Sequence, residues 1–375
     1  MIQGLDVDWS LARLLDELWL RVRRLLIHQL AASHLWVDKA EYREFLERQR
    51  GLGMRLRDEW LPQALGENDY LCLNSERGFR AANSQVRAKM PLVLAFGYEL
   101  AGSLAALCRC KSRRSEQAAV LCALFNFGIS LFDIVVDQSP QLVGTLARHV
   151  NERTLRHLDA DAAAVAELHR SWAQVEDDEL RILLKIILAF FGHLRQLYST
   201  AENACVDGGV LPHLERAYRA ELSSAAASVN GAADAVQISK EKSALPFTIM
   251  GRIVGLGMDG ARGLGAEPAL ALATAVGEIF WLTDDLTDIV ADLRSGSVNG
   301  VLAGCGLAQG VSRDSAQLYD AVTDLLGGRE LENRTSDVVS RLLALETQLR
   351  AGEFENSAVM PFRRLILFYV RCWIT

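Results

Sequence analysis

Residues 277–296 read GEIFWLTDDLTDIVADLRSG. At about 100° per residue, Asp284, Asp288 and Asp292 recur four positions apart and drift by about 40° per step, so a continuous helix keeps them on one face. Like charges at this spacing repel and weaken a helix. The flanking Ile279, Phe280, Trp281, Leu282, Leu286, Ile289 and Val290 predict a segment buried in a core. A cation should compensate the ladder and the adjacent Asp285. Carboxylates without nitrogen or sulfur ligands suit a hard divalent ion, and Mg2+ is usually held by one or two carboxylates plus substrate phosphates. The competing reading is a solvated acidic face.

A second acidic pair occurs in CALFNFGISLFDIVVDQSP, where Asp133 and Asp137 stand four residues apart inside another apolar run. Both carboxylates then leave one side of a largely hydrophobic helix. An ionised carboxylate left alone in apolar surroundings costs several kcal/mol, so two such helices facing each other predict shared metal ions.

Half of the 375 residues are apolar, which suffices for one large domain or two ordinary ones. A net charge of −7 leaves no electrostatic footprint for nucleic acid, and none is expected as a partner. The seven cysteines show neither a paired framework nor CxxC spacing and read as reduced, mostly buried thiols. MIQGLDVDWS lacks the layout of a signal peptide. The most apolar stretch, Ile182 to Leu194, is interrupted by Lys185 and His193 and is too short to span a bilayer. No transmembrane segment and a cytoplasmic location are therefore expected.

Almost every long segment has helical periodicity. Leu11, Leu14, Leu15, Leu18, Trp19, Val22, Leu25 and Leu26 follow the i, i+3, i+4, i+7 rule behind a Ser10 cap. Further runs at 40–49, 91–108, 116–138, 141–158, 160–171, 178–204, 212–234, 243–259, 267–294, 314–327, 335–351 and 359–373 predict a single all-α domain over residues 1–375, with the motif-bearing core at about 80–300. Residues 62–79 and the Gly-rich stretch 295–310, which contains Asn299, read as long connections, the second as a binding loop or a plain linker.

A diphosphate bound through metal also needs Arg or Lys from other segments. Arg80, Arg87 and Lys89 precede the apolar helix that Pro91 is expected to start, and Lys240, Lys242 and Arg252 surround KEKSALPFTIMGR. Each cluster also reads as an ordinary solvated helix end.

The order of these elements resembles the class I isoprenoid synthases, the superfamily of trans-prenyl diphosphate synthases and class I terpene cyclases. Gly277, Phe280, Asp284, Asp285 and Asp288 match GxxFxxxDDxxD, the second aspartate-rich motif of the prenyl synthases. RAKMPLVLA at 87–95 looks like their GKRxRPxLxL segment, KSALPF at 242–247 like KTAxLF, and SLFDIVVD at 130–137 falls where LxHDDxxD should be. The resemblance implies an all-α isoprenoid-synthase-like bundle around an apolar cavity, with three Mg2+ ions bridging the diphosphate of a C15 to C25 prenyl substrate. It implies metal binding and catalysis by Asp133, Asp137, Asp284, Asp285 and Asp288. Asp292 and Asn299 are further candidates, and a homodimer is compatible with the scaffold.

The departures bear on function. Ile134 stands where the first motif has its second aspartate, the arginine pair that usually follows is missing from QSPQLVGTLARHV, and the first basic segment keeps only Arg87 and Lys89. In the prenyl synthases that the sequence resembles, the lysine and arginines of that basic segment hold isopentenyl diphosphate, the second substrate of chain elongation. The sequence therefore looks closer to the bacterial large (class IB) terpene synthases, and the expected activity is cyclisation of one prenyl diphosphate to a terpene hydrocarbon or alcohol. Prenyl transfer to isopentenyl diphosphate or another acceptor is the alternative, followed by a non-catalytic partner subunit and an unrelated metal-dependent helical hydrolase. Phe125, Phe127, Phe132, Phe247, Phe280 and Trp281 are the aromatic candidates for shielding a carbocation, against the plainer role of core packing.

Overall fold

The computed structural model describes residues 3–75, 78–80, 84–110, 112–199, 209–225, 231–258, 265–307 and 314–375, with the side chains of 3–9, 85, 86, 137, 138, 140, 162 and 225 left aside. Among the described residues there are seventeen helices and no strand: α1 (Gln3–Ala32), α2 (Lys39–Leu65), α3 (Glu67–Asn74), α4 (Ser84–Leu107), α5 (Arg113–Gln138), α6 (Pro140–His149), α7 (Glu152–Ala160), α8 (Ala162–Trp172), α9 (Asp178–Ser199), α10 (Leu211–Ala225), α11 (Ala232–Leu256), α12 (Ala266–Thr287), α13 (Ile289–Ser295), α14 (Gly300–Gly304), α15 (Ser315–Gly327), α16 (Glu330–Ala351) and α17 (Asn356–Ile374). One continuous buried apolar cluster runs through them from Leu11 to Ile374.

Several boundaries differ from the periodicity reading. Residues 62–79 are mostly helical: Pro62 sits in the last turn of α2, where its carbonyl accepts the Gly66 N–H, and α3 follows at once. Helix α1 begins at Gln3, so Ser10 lies inside it and caps nothing. Pro91 is likewise inside α4 and does not start it. The stretch 141–158 is split by Asn151, whose side chain caps α7 through the Thr154 N–H. The acidic segment is also split. Asp288 leaves helical geometry at φ −94°, ψ 3°, ending α12 and opening α13, so the ladder is not one continuous face.

Helices α4, α5, α10, α11, α12 and α17 supply the residues that line the site. The approach of α12 to α11 depends on missing side chains. A Cβ on Gly277 would lie 2.5 Å from the Ala244 carbonyl oxygen of α11, and one on Gly251 would lie 2.7 Å from the Ala273 Cβ of α12. Phe247 and Phe280 stack across the same seam, with ring centroids 5.1 Å apart.

By length and composition alone, Arg87–Leu107 and Arg113–Val136 are apolar enough to cross a membrane, a property the sequence reading assigned to neither. Two thirds of each apolar window (67%) is buried against the other helices. Cys72, Cys108, Cys110, Cys122, Cys305 and Cys372 are free thiols, while Cys205 lies outside the described residues.

Candidate active site

A cavity of about 400 Å3 opens between α4, α5, α10, α11, α12 and α17. Its lining combines two chemistries. Asp133, Glu221, Asp284 and Asp288 line it together with Lys89 and Lys242, whereas Leu92, Phe96, Phe247, Phe280, Tyr369 and Trp373 supply apolar wall. The aromatic wall is one cluster: Phe96 lies 5.8 Å from Phe247, 5.4 Å from Phe280 and 4.1 Å from Tyr369. The Tyr369 hydroxyl donates to the Leu92 carbonyl at 3.0 Å, which turns its polar end into backbone.

Asp133 comes from α5 and is met by Lys242 of α11, Nζ to Oδ1 2.7 Å. Lys242 also lies 3.6 Å from the buried Glu221 of α10. Asp284 is held at both oxygens, by the Ser243 hydroxyl on Oδ2 and the Trp373 indole N–H on Oδ1, each at 3.1 Å. Burial raises the Asp284 carboxyl above its usual range, and Asp133 adds repulsion against the help of Trp373, Lys242 and Ser243. Solvent reaches Asp288 from the cavity, yet the protein crowding around it, with Asp284, Asp292 and Asp133 nearby, pushes its carboxyl up to about 7. Lys89 opposes that shift. An acidic cluster that resists ionisation in this way fits the chemistry of a cation site.

The protein does not close such a site by itself. Among the described residues no three His, Cys, Asp or Glu side chains are grouped tightly enough to hold a metal ion. Asp133 of α5 and Asp284 and Asp288 at the end of α12 line the same cavity, which suits Mg2+ completed by phosphate oxygens and water. The backbone of Asp137 lies in α5, one turn beyond Asp133, but its side chain is outside the described residues.

Asp285 points elsewhere. Only 5% exposed, it accepts the Ser239 hydroxyl at 2.9 and 2.7 Å and the Gly300 N–H at 2.9 Å. Burial and the neighbouring Asp284 and Asp292 raise its carboxyl well above the ordinary range, against those hydrogen bonds. Asn299 donates to the Asp285 carbonyl and to Asp292 Oδ2, at 2.7 and 2.8 Å, and its own oxygen caps α14 through the Leu302 N–H. Asp292 and Asn299 thus belong to the anchoring of the Gly-rich segment, whose described part, 295–307, carries α14 and supplies no residue to the cavity lining. A Cβ on Gly300 would lie 2.9 Å from Asp285 Oδ2, so glycine is what admits the carboxylate there.

Of the six basic candidates, Lys89 and Lys242 line the cavity and the others do not. Arg87 donates to the Ser75 and Phe79 carbonyls, both at 3.3 Å. Arg80 lies beside Ser139 and the acidic stretch Glu176–Glu179 in a separate surface pocket. Lys240 pairs with Glu278 at 2.6 Å and lies over the Trp281 ring, two residues and about 200° round α11 from Lys242. Arg252 acts on His213, away from the cavity.

Of the aromatic candidates, Phe247 and Phe280 line the acidic cavity. Phe125 and Phe132 line a second one, of about 100 Å3 and almost wholly apolar, with Gly128, Phe190, Phe191 and Tyr218. Ile129 and Glu221 face both spaces, so the two adjoin. Phe127 is fully buried core, and the Trp281 indole donates to Ser239 at 2.8 Å behind the site. Glu221, Ser243 and Trp373 escaped the sequence reading. Glu221 had a signal, since Leu214, Ala217, Tyr218 and Glu221 stand at i, i+3, i+4 and i+7 and all line the second cavity.

No family model and no curated protein matches the chain. Solved structures do. Geranylgeranyl pyrophosphate synthetase from Pyrococcus horikoshii aligns over 88% of this chain and 98% of its own, with 14% identity and a TM-score of 0.54. Geranylgeranyl pyrophosphate synthase from Corynebacterium glutamicum, complexed with isoprenyl diphosphate and magnesium, aligns over 85% and 98%, with 16% identity and a TM-score of 0.44. The first likeness is one of fold. The chain has the all-α isoprenoid-synthase fold.

Proposed function

We propose that this protein is a Mg2+-dependent enzyme that ionises the allylic C–O bond of a prenyl diphosphate. The observation that carries the reading is a single cavity lined both by carboxylates with two ammonium groups and by a cluster of aromatic rings. A diphosphate with an apolar tail combines the same two chemistries. Mg2+, when bound, neutralises charge developing on the leaving diphosphate.

Asp133, Asp284 and Asp288 would hold the metal, with Asp137 added by its place in the first motif. Lys89 and Lys242 would donate to diphosphate oxygens, and the faces of Phe247 and Phe280 would stabilise and shield the carbocation left on the tail. The adjoining apolar cavity past Ile129 gives a longer tail somewhere to go. Asp285 we assign to positioning: its bonds to Ser239 and Gly300 brace α12 against α11 and α14, which sets the direction of Asp284.

Two fates of the cation follow. Capture within the same molecule gives a terpene hydrocarbon or alcohol, and it is supported by the scarcity of partners for a second diphosphate: Lys89 and Lys242 are the described cations lining the cavity, and Arg87 is turned to backbone carbonyls. Transfer to a second acceptor is supported at least as well by the scaffold, since the Pyrococcus horikoshii structure that shares it bears the name of a geranylgeranyl pyrophosphate synthetase. Incubation with C10, C15, C20 and C25 prenyl diphosphates and Mg2+, with and without isopentenyl diphosphate, followed by mass spectrometry, separates them. A hydrocarbon or alcohol from one substrate alone supports cyclisation. A lengthened diphosphate formed only with isopentenyl diphosphate supports transfer, and no product from any substrate would remove both.

A further inference from the structure

The Asp284 carboxylate receives one donor on each oxygen, and the two donors come from different helices. Ser243 of α11 takes Oδ2, and Trp373 of α17 takes Oδ1. Each carboxylate oxygen offers two lone-pair directions, so one per oxygen stays available toward the cavity. The indole is 39% exposed. It meets Phe280 edge-on at 5.0 Å and Phe96 at 6.4 Å, so packing on α12 and α4 favours the direction of its N–H. The same ring forms part of the cavity wall.

We propose that Trp373 is a positioning residue for the metal site, its indole N–H holding Asp284 in the orientation that a divalent ion requires. The inference rests on the reading of Asp284 as a metal ligand and adds a role for α17, which carries no acidic motif. Hydrogen bonds that orient a ligating carboxylate matter to metal affinity, commonly by roughly 10- to 100-fold when removed. A ring that served only as wall would contribute through shape alone, and Phe could supply that.

The test is calorimetric titration of Mg2+ into the full chain in the presence of inorganic pyrophosphate, alongside the metal-free melting temperature. Trp373→Phe keeps an aromatic ring against Phe280 and Phe96 and deletes the N–H. It should weaken Mg2+ binding by roughly 10-fold or more with the metal-free melting temperature unchanged. Trp373→His, a smaller ring that retains an N–H donor, should recover part of the loss. Wild-type affinity in Trp373→Phe, or a lowered melting temperature with unchanged affinity, would leave Trp373 as wall only and overturn the proposal while the metal site stands. Recovery no better in His than in Phe would also count against it. Absence of Mg2+ binding by the wild type would remove the metal reading itself and this inference with it.

Discussion

Asp284 and Asp285 are neighbours in sequence with opposite surroundings. Asp284 opens into the cavity beside Asp288 and across from Asp133, and Asp285 is sealed against Ser239 and Gly300. Asp284→Asn should therefore leave the metal-free melting temperature at or above wild type, because it relieves like-charge repulsion. Asp285→Ala should lower stability by about 1–3 kcal/mol, since it strands buried donors, and thermal unfolding of the two variants side by side checks the contrast. Asp288 sets a pH dependence. Its carboxyl is raised from 3.8 to about 7, so the folded metal-free protein keeps a proton that the unfolded chain gives up. That contribution to stability is present below about pH 4 and is lost as pH rises through about 7. A metal competes with the same proton, so Mg2+ affinity should climb as pH rises through about 7 and then level off. Calorimetry between pH 5.5 and 8.5 measures this, and a flat profile would exclude Asp288 as a ligand.

At the scale of elements, α12 owes its position to a glycine. Gly277→Ala places a methyl 2.5 Å from the Ala244 carbonyl, and backbone cannot yield as a side chain can. The variant should lose about 1–3 kcal/mol, read by denaturant unfolding, and should loosen the Phe247–Phe280 stack. Apolar periodicity made most helices legible, including the two that carry Asp133 and Asp284. It missed the break at Asp288 because Ile289, Val290 and Leu293 continue the pattern without Gly or Pro, and the turn there is backbone geometry. It misread 62–79 because Pro62 and Gly66 look like loop residues where they in fact close α2. Side-chain direction was the harder part. Lys240 and Lys242 differ by two positions and face opposite ways, and Phe125, Phe127 and Phe132 were separated from Phe247 and Phe280 only by which helix face met which neighbour. Trp373 sits far from every acidic motif in sequence, and its contact with Asp284 is purely tertiary.

Across the whole molecule, the continuous core from Leu11 to Ile374 is the basis for proposing that residues 1–375 form one domain. Within it, polar side chains that would be costly in an apolar interior converge on one cavity from α4, α5, α10, α11, α12 and α17. What that convergence does is read in pyrophosphate release from C15 and C20 prenyl diphosphates by wild type and Asp284→Asn, each with Mg2+ and with the metal chelated. Wild type should release it only with Mg2+, and the variant should lose at least about 100-fold, on the scale of a removed transition-state charge contact. Release that persists under chelation, or that Asp284→Asn retains in full, would rule out a metal-dependent site in this cavity.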